Sequence, residues 1–254
     1  MTSVSQGQQA GSTNMRAVIA QTRAELTMTA RRGESVLVTV IMPVFFLLFF
    51  GSLIVVPSVA GKPVNFLFPG VLAIAVISTG MVSLGIATAY ERYYGVLKRL
   101  GSAPLPRWAL LVAKGLSVLA LEIVQTILLV AIAMVVYGWR PASSAWLALP
   151  IILLGTATFA GLGMLMAGAL RAEATLAGAN GLYVVFLAIG GVVLPVNHLP
   201  LFLQGLANAL PPAALSSSLR AALNGTAVSP VSIAILAGWA VVFGVAAALT
   251  FKWE

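Results

Sequence analysis

Apolar and polar positions along this chain fall into long blocks and do not alternate. Six mostly apolar blocks, at about 36–56, 66–90, 109–137, 146–170, 175–194 and 231–251, are separated by short polar or proline-bearing stretches. A helix needs about 20 apolar residues to cross the hydrocarbon of a bilayer. The pattern therefore predicts an all-α membrane protein with six transmembrane helices. The first block carries Pro43 and the aromatic residues Phe45, Phe46, Phe49 and Phe50. The second opens on Phe68-Pro69-Gly70, where proline suits a first turn or a kink.

The stretches between the blocks differ in kind. Residues 1–14 are small and polar without periodicity, which predicts a disordered leader. They lack the basic patch, short apolar core and cleavage site of a signal peptide. Over 15–33, Met15, Ile19, Thr22 and Leu26 recur at helical spacing while Arg16, Arg23 and Arg31 fall on another side. That predicts a helix lying on the membrane surface, with a merely solvated basic leader as the plainer reading. The segment 91–105 concentrates charge and ends on Pro104-Leu105. The segment 195–224 holds Pro195, Pro200, Pro211 and Pro212 among apolar runs too short to span, so its backbone must be buried in protein or line a cavity.

Composition narrows the class. Of 254 residues 60% are apolar and 8% charged, against roughly 25% charged in a soluble domain, and the mean hydropathy is +1.04. A soluble enzyme is thereby excluded. The absence of cysteine and the single histidine leave no disulfide framework, thiolate metal site or zinc cluster.

The net charge of +8 reads as topology and not as nucleic-acid affinity. With alternating spans, one side receives Arg16, Arg23, Arg31, Arg32, Arg92, Lys98, Arg99, Arg107, Lys114, Arg171 and Lys252, and the other only Lys62, Arg140 and Arg220. Eleven against three places both termini and the 91–105 segment in the cytoplasm.

Few residues carry chemistry. No G-x-x-x-x-G-K-[ST] occurs, and the cytoplasmic stretches are too short for a nucleotide-hydrolysing domain. Any ATP is bound by another polypeptide. Glu122 stands deep in the third block, where a charge costs about 2.5–3.5 kcal/mol or more. Lys114 is roughly 12 Å away along the helix, too far for a pair. Gln125 and Thr126 share the Glu122 face. Two readings of Glu122 stay open: contact with a cationic substrate or a proton, and an interhelical clamp. His198 has no second histidine or nearby acid in sequence and reads as a solvated loop residue. The glycines of the fourth block (Gly161, Gly163, Gly168) permit close helix packing but are background in so alanine-rich a chain.

Within 91–105, Val96, Leu97 and Leu100 form an apolar edge beside Lys98 and Arg99, on a helix of about two turns. Such an edge suits docking in a partner's groove; a basic loop that only sets topology and touches anionic lipid is the alternative.

Three motifs, in order, resemble the permease subunits of the type-2 ABC exporter family. Phe66-Leu67-Phe68-Pro69-Gly70 is similar to the family's PG motif. Glu91-Arg92-x-x-Gly95-x-Leu97-x-x-Leu100-x-x-x-Pro104-Leu105 resembles its E-R-x-x-G-T-L-x-x-L-x-x-x-P segment, with Tyr93 where many members have an acid and Val96 for threonine. Leu199-Pro200-x-x-Leu203-x-x-Leu206-x-x-x-Leu210-Pro211, then Leu219-Arg220-x-x-Leu223-x-Gly225, resembles the stretch before the last span. The resemblance covers about 15–254. It implies an ATPase-coupling segment comprising Glu91, Arg92, Gly95, Val96, Leu97, Lys98, Arg99 and Leu100. It further implies a re-entrant outer hairpin over 195–224, with Pro195, His198, Pro200 and Pro211 at an outer gate. The implied assembly sits in a bacterial inner membrane. It pairs this chain with a second or sibling permease and two ATPase subunits, which bind the ATP and Mg, and exports an amphipathic or hydrophobic substrate. This chain binds no cofactor and performs no covalent chemistry.

Three other readings stand beside it. A proton-coupled secondary transporter would use Glu122, but no broken-helix half-repeat is visible. An intramembrane lipid enzyme needs clustered acids or histidines, whereas the six acids are scattered at 25, 34, 91, 122, 173 and 254. A purely structural assembly subunit is the third.

Overall fold

The computed structural model describes residues 3–31, 33–52, 63–101, 107–191 and 195–250, and all regular structure among them is helical. The helices are α1 (Ser3–Arg31), α2 (Gly33–Ser52), α3 (Pro63–Ile77), α4 (Leu84–Tyr93), α5 (Val96–Gly101), α6 (Arg107–Tyr137), α7 (Ala148–Ala169), α8 (Ala172–Ile189), α9 (Leu201–Ala209), α10 (Pro211–Asn224) and α11 (Pro230–Thr250). A π-helical turn, Ser78–Ser83, joins α3 to α4 without a break, so Pro63–Tyr93 is one rod of 31 residues.

Five helical stretches are long and apolar enough to cross a membrane: Pro63–Tyr93, Val112–Tyr137, Ala145–Ala169, Ala172–Ile189 and Pro230–Thr250. Each matches an apolar block of the sequence. The first block corresponds to α2, whose apolar part over described side chains, Thr39–Ser52, is shorter; the expected residues 53–56 lie outside the described residues. The leader departs from expectation. Helix α1 runs back to Ser3, through residues whose composition argues for disorder. No proline interrupts 3–14, and extending an existing helix is far cheaper than starting one.

Hydrogen bonds between helix ends fix the antiparallel arrangement. At one end, Arg92 at the end of α4 donates to the carbonyls of Gly168 and Leu170, at the α7–α8 turn. At the other end, Asn224 donates to Asn65 O (2.8 Å), Ser144 to Ala222 O (2.8 Å) and Tyr137 to the carbonyls of Leu47 and Leu48. Helices α9 and α10 belong to this second end. Trp239 donates through Nε1 to Ala209 O at 2.9 Å, although it lies nine residues, about 14 Å, along α11.

The core lies where α3, the π turn and α7 meet. Phe68, Leu72, Ile77, Met81, Phe159, Leu215 and Leu219 are fully enclosed. A Cβ on Gly163 would sit 2.8 Å from Met81 O, and one on Gly85 would sit 3.0 Å from Gly163 O. The backbones of α7 and the rod therefore touch, and Gly163 is required for that contact, not background.

Candidate functional site

Polar side chains buried in the bundle gather at two levels, and both lie along the Pro63–Tyr93 rod. The first is at the Arg92 end. Lys114 near the start of α6 is buried, and its ammonium donates to Glu91 Oε2 at 2.5 Å and to Glu25 at 3.2 Å. All three side chains are enclosed, Lys114 to within 1%. Helix α1 supplies Glu25, α4 supplies Glu91, and α6 supplies the cation, so one charge cluster ties three elements together. One ammonium thus serves two carboxylates. Gln21 supports Glu25 from the preceding turn, donating at 3.0 Å.

Glu91 and Arg92 are thus turned inward, in different directions. Glu91 binds Lys114, and Arg92 spreads its guanidinium over the two carbonyls that end α7. Both are implied by resemblance to belong to a segment facing a partner; in the structure their charged groups are engaged by this chain. A buried acid is stable only when paired, which is why Glu91 faces Lys114 and not water. Immediately after them, Gly95 has φ +70, the left-handed conformation that glycine adopts without strain, and the chain turns sharply into α5. Leu97, expected on an apolar edge with Val96 and Leu100, is fully buried within the chain. The surface here is made by Tyr93, Tyr94 and Lys98, all exposed, with Val96 half-buried. The tyrosines stack with Tyr90 as one aromatic group. Side chains of Arg99 and Leu100 lie outside the described residues.

The second level is mid-bundle. Thr156 of α7 donates its hydroxyl to Glu122 Oε2. Glu122 Oε1 has no hydrogen-bond partner among the described residues, although the side chain is buried. Gln125 does not bond Glu122. It donates to Thr39 O of α2 at 2.8 Å and accepts from the Thr79 hydroxyl at 3.2 Å. Thr79, in the π turn, shares that proton with Ala75 O (2.9 Å) one turn back in α3, the usual back-bond of a helical threonine. Glu122 and Gln125, adjacent on one helix face, thus hold two different neighbours.

The four residues implied at an outer gate fall on the 3₁₀ turn and at the starts of α9 and α10. Pro195 precedes a 3₁₀ turn containing exposed His198, and Pro200 caps α9. Pro211 is buried at the first turn of α10. What sequence reasoning underrates here is Arg220, which lies 3.8 Å over the Phe66 ring and donates to Gly191 O. It joins α10 to the start of the rod and the end of α8, and the signal for it was present in the Leu219-Arg220 motif. Among the described residues no group of acids and histidines could hold a metal ion.

Apolar spanning helices, polar side chains buried between them and a short polar segment at one end define a multi-pass helical membrane protein. The sequence pattern of the ABC-2 type transporter family matches residues 16–224. The chain belongs to that family: it is an ABC transporter permease, a membrane domain without a nucleotide site of its own, and membership implies an ABC ATPase as partner. No curated protein matches it.

Proposed function

We propose that the chain is the membrane subunit of an ATP-driven exporter that carries a hydrophobic or amphipathic molecule out of a bacterial cytoplasm. In this reading six helices span the inner membrane, α2 being the first, and both termini are cytoplasmic, as the eleven-to-three distribution of basic residues argues. Helices α9 and α10 form the re-entrant outer hairpin. Two permeases, identical or sibling, assemble with two ATPases that bind ATP and Mg.

The observation that carries the proposal is the wiring of Glu91 and Arg92. They stand just before Gly95 and α5, and between them they hold α1, α6 and the α7–α8 turn. A push on α5 from a closing ATPase would be passed to four elements at once, through these charged contacts. The far end of the same rod meets Arg220 and Asn224 of α10, so inner movement reaches the outer hairpin. The partner's contact surface in this reading is Tyr93, Tyr94 and Lys98.

The test is co-expression with an ABC ATPase from a neighbouring reading frame and affinity purification through the permease. The ATPase is expected to co-purify with the unaltered chain and to be lost with Tyr94→Ala combined with Lys98→Glu. An intact complex in that variant would show the contact to be misplaced.

Glu122 Oε1, without a partner among the described residues, is the observation favouring a second reading, proton-coupled transport. Export that survives loss of ATP but collapses with the proton gradient would establish it.

A further inference from the structure

Lys114 has a second neighbourhood besides its carboxylates. A crevice of about 180 Å³ runs between α4, α6, α7 and α11, lined by Leu84, Lys114, Gly115, Met164, Gly244 and Ala247, with small residues completing the walls. The Lys114 ammonium is taken by Glu25 and Glu91. The crevice therefore meets little beyond hydrocarbon and backbone. It is partly open: α11 packs along α7 and α10, and α6 stands across the gap. Val112 and Leu116 on α6, and Val241 and Val245 on α11, are exposed beside it.

We infer that this crevice is a lipid site, occupied by one acyl chain of a phospholipid from the leaflet at the α5 end. Three observations select that occupant. The crevice is at the Arg92 end of the bundle, flanked by two spanning helices, so the molecules that reach its mouth are bilayer lipids. Its lining offers too few polar groups to hold water, and an apolar cavity of roughly 150 Å³ stays dry and takes up benzene; a space of about 180 Å³ accepts a comparable run of methylenes. Finally, the space is made by glycine. A Cβ placed on Gly115 or Gly244 meets no heavy atom within 4 Å, so each leaves its side of the crevice open, whereas one on Gly161, also in the lining, would sit 3.2 Å from Gly244 N, where α7 and α11 touch. An unfilled void would forfeit dispersion contacts on every wall, and a chain wedged between α6 and α11 restores them. The site is independent of the transport reading and requires only that the protein spans a membrane.

The experiment uses the purified full chain in nanodiscs of phosphatidylethanolamine and phosphatidylglycerol doped with a phospholipid whose acyl chain carries a diazirine. After illumination, adducts are mapped by peptide mass spectrometry. They are expected in excess on the peptides containing 112–116 and 244–248 over those containing Val135 and Val136, an exposed face of α6. Gly115→Leu and Gly244→Leu fill the space without displacing backbone and are expected to abolish that excess while the Val135–Val136 adducts stay unchanged. Even labelling of all exposed faces, or an excess that survives both substitutions in protein that elutes as the unaltered chain does, would overturn the site.

Discussion

Lys114 Nζ lies 2.5 Å from Glu91 Oε2, so the first buried base of α6 is bound to the last acid of α4. Glu25 is held by the same ammonium at 3.2 Å, so the cation serves both acids, and this sharing ranks the substitutions. Removing the cation takes the shared partner from two enclosed carboxylates, a loss of about 3–5 kcal/mol. Neutralising Glu25 leaves the Lys114–Glu91 contact in place. Lys114→Met is therefore expected to lower the melting temperature in detergent far more than Glu25→Gln. Adding Glu25→Gln and Glu91→Gln to Lys114→Met should recover much of the loss. Equal shifts for the two single variants would contradict the cluster.

The glycines of the bundle should split into two groups under the same substitution. Gly163→Ala places a methyl group 2.8 Å from Met81 O, against backbone that cannot swing aside. A cost of about 1–3 kcal/mol is expected, seen as lower monodisperse yield in fluorescence-detected size exclusion. Gly115→Ala, with no neighbour in reach, should behave as the unaltered chain.

Leu97 and Lys98 adjoin in sequence and should fail differently. Leu97→Asp buries an unpaired carboxylate and is expected to destabilise the permease itself in a thermal-shift assay. Lys98→Glu changes only an exposed charge and should leave stability within about 0.5 kcal/mol while weakening recovery of the ATPase. A permease equally stable with Leu97→Asp would mean that Leu97 is not enclosed.

Glu122→Gln retains an acceptor for the Thr156 hydroxyl, whereas Glu122→Ala removes it. If the group is a clamp between α6 and α7, Glu122→Gln exports normally and a double-mutant cycle with Thr156→Val gives a coupling of about 0.6 kcal/mol, with about 1.7 as the ceiling. Loss of export in Glu122→Gln with unchanged stability would instead mark the carboxyl as a transport group.

The spans were legible in the sequence because a run of apolar residues long enough to cross a bilayer has little else it can be. The Glu91-Arg92 pair was legible as a motif, but its direction was not. Measured along a single helix, Lys114 is too far from Glu122 and has no other visible acid. Its real partners come from 23 and 89 residues away, and only the packing of three helices brings them together. Gln125 misled for the same reason, since sharing a face with Glu122 places two side chains together without deciding which neighbour each one meets. The π turn left no trace in the hydrophobic pattern, because its residues are buried or half-buried all round. Its stabilising contact, Gln125 to Thr79, joins residues 46 apart.

The continuous rod from Pro63 to Tyr93 has a mechanical consequence. At about 1.5 Å per residue its 31 residues measure about 46 Å, well beyond the roughly 30 Å of hydrocarbon around it. Its tips therefore stand in water, or lean to stay within the lipid. Taking the π turn as the fulcrum, the arms are about 15 Å toward Tyr93 and about 22 Å toward Pro63. A tilt of about 10° would carry the two tips about 3 Å and about 4 Å in opposite senses. A stroke at the Tyr93 tip would thus emerge slightly enlarged at the Pro63 tip, and bilayer thickness would set the angle from which the lever starts.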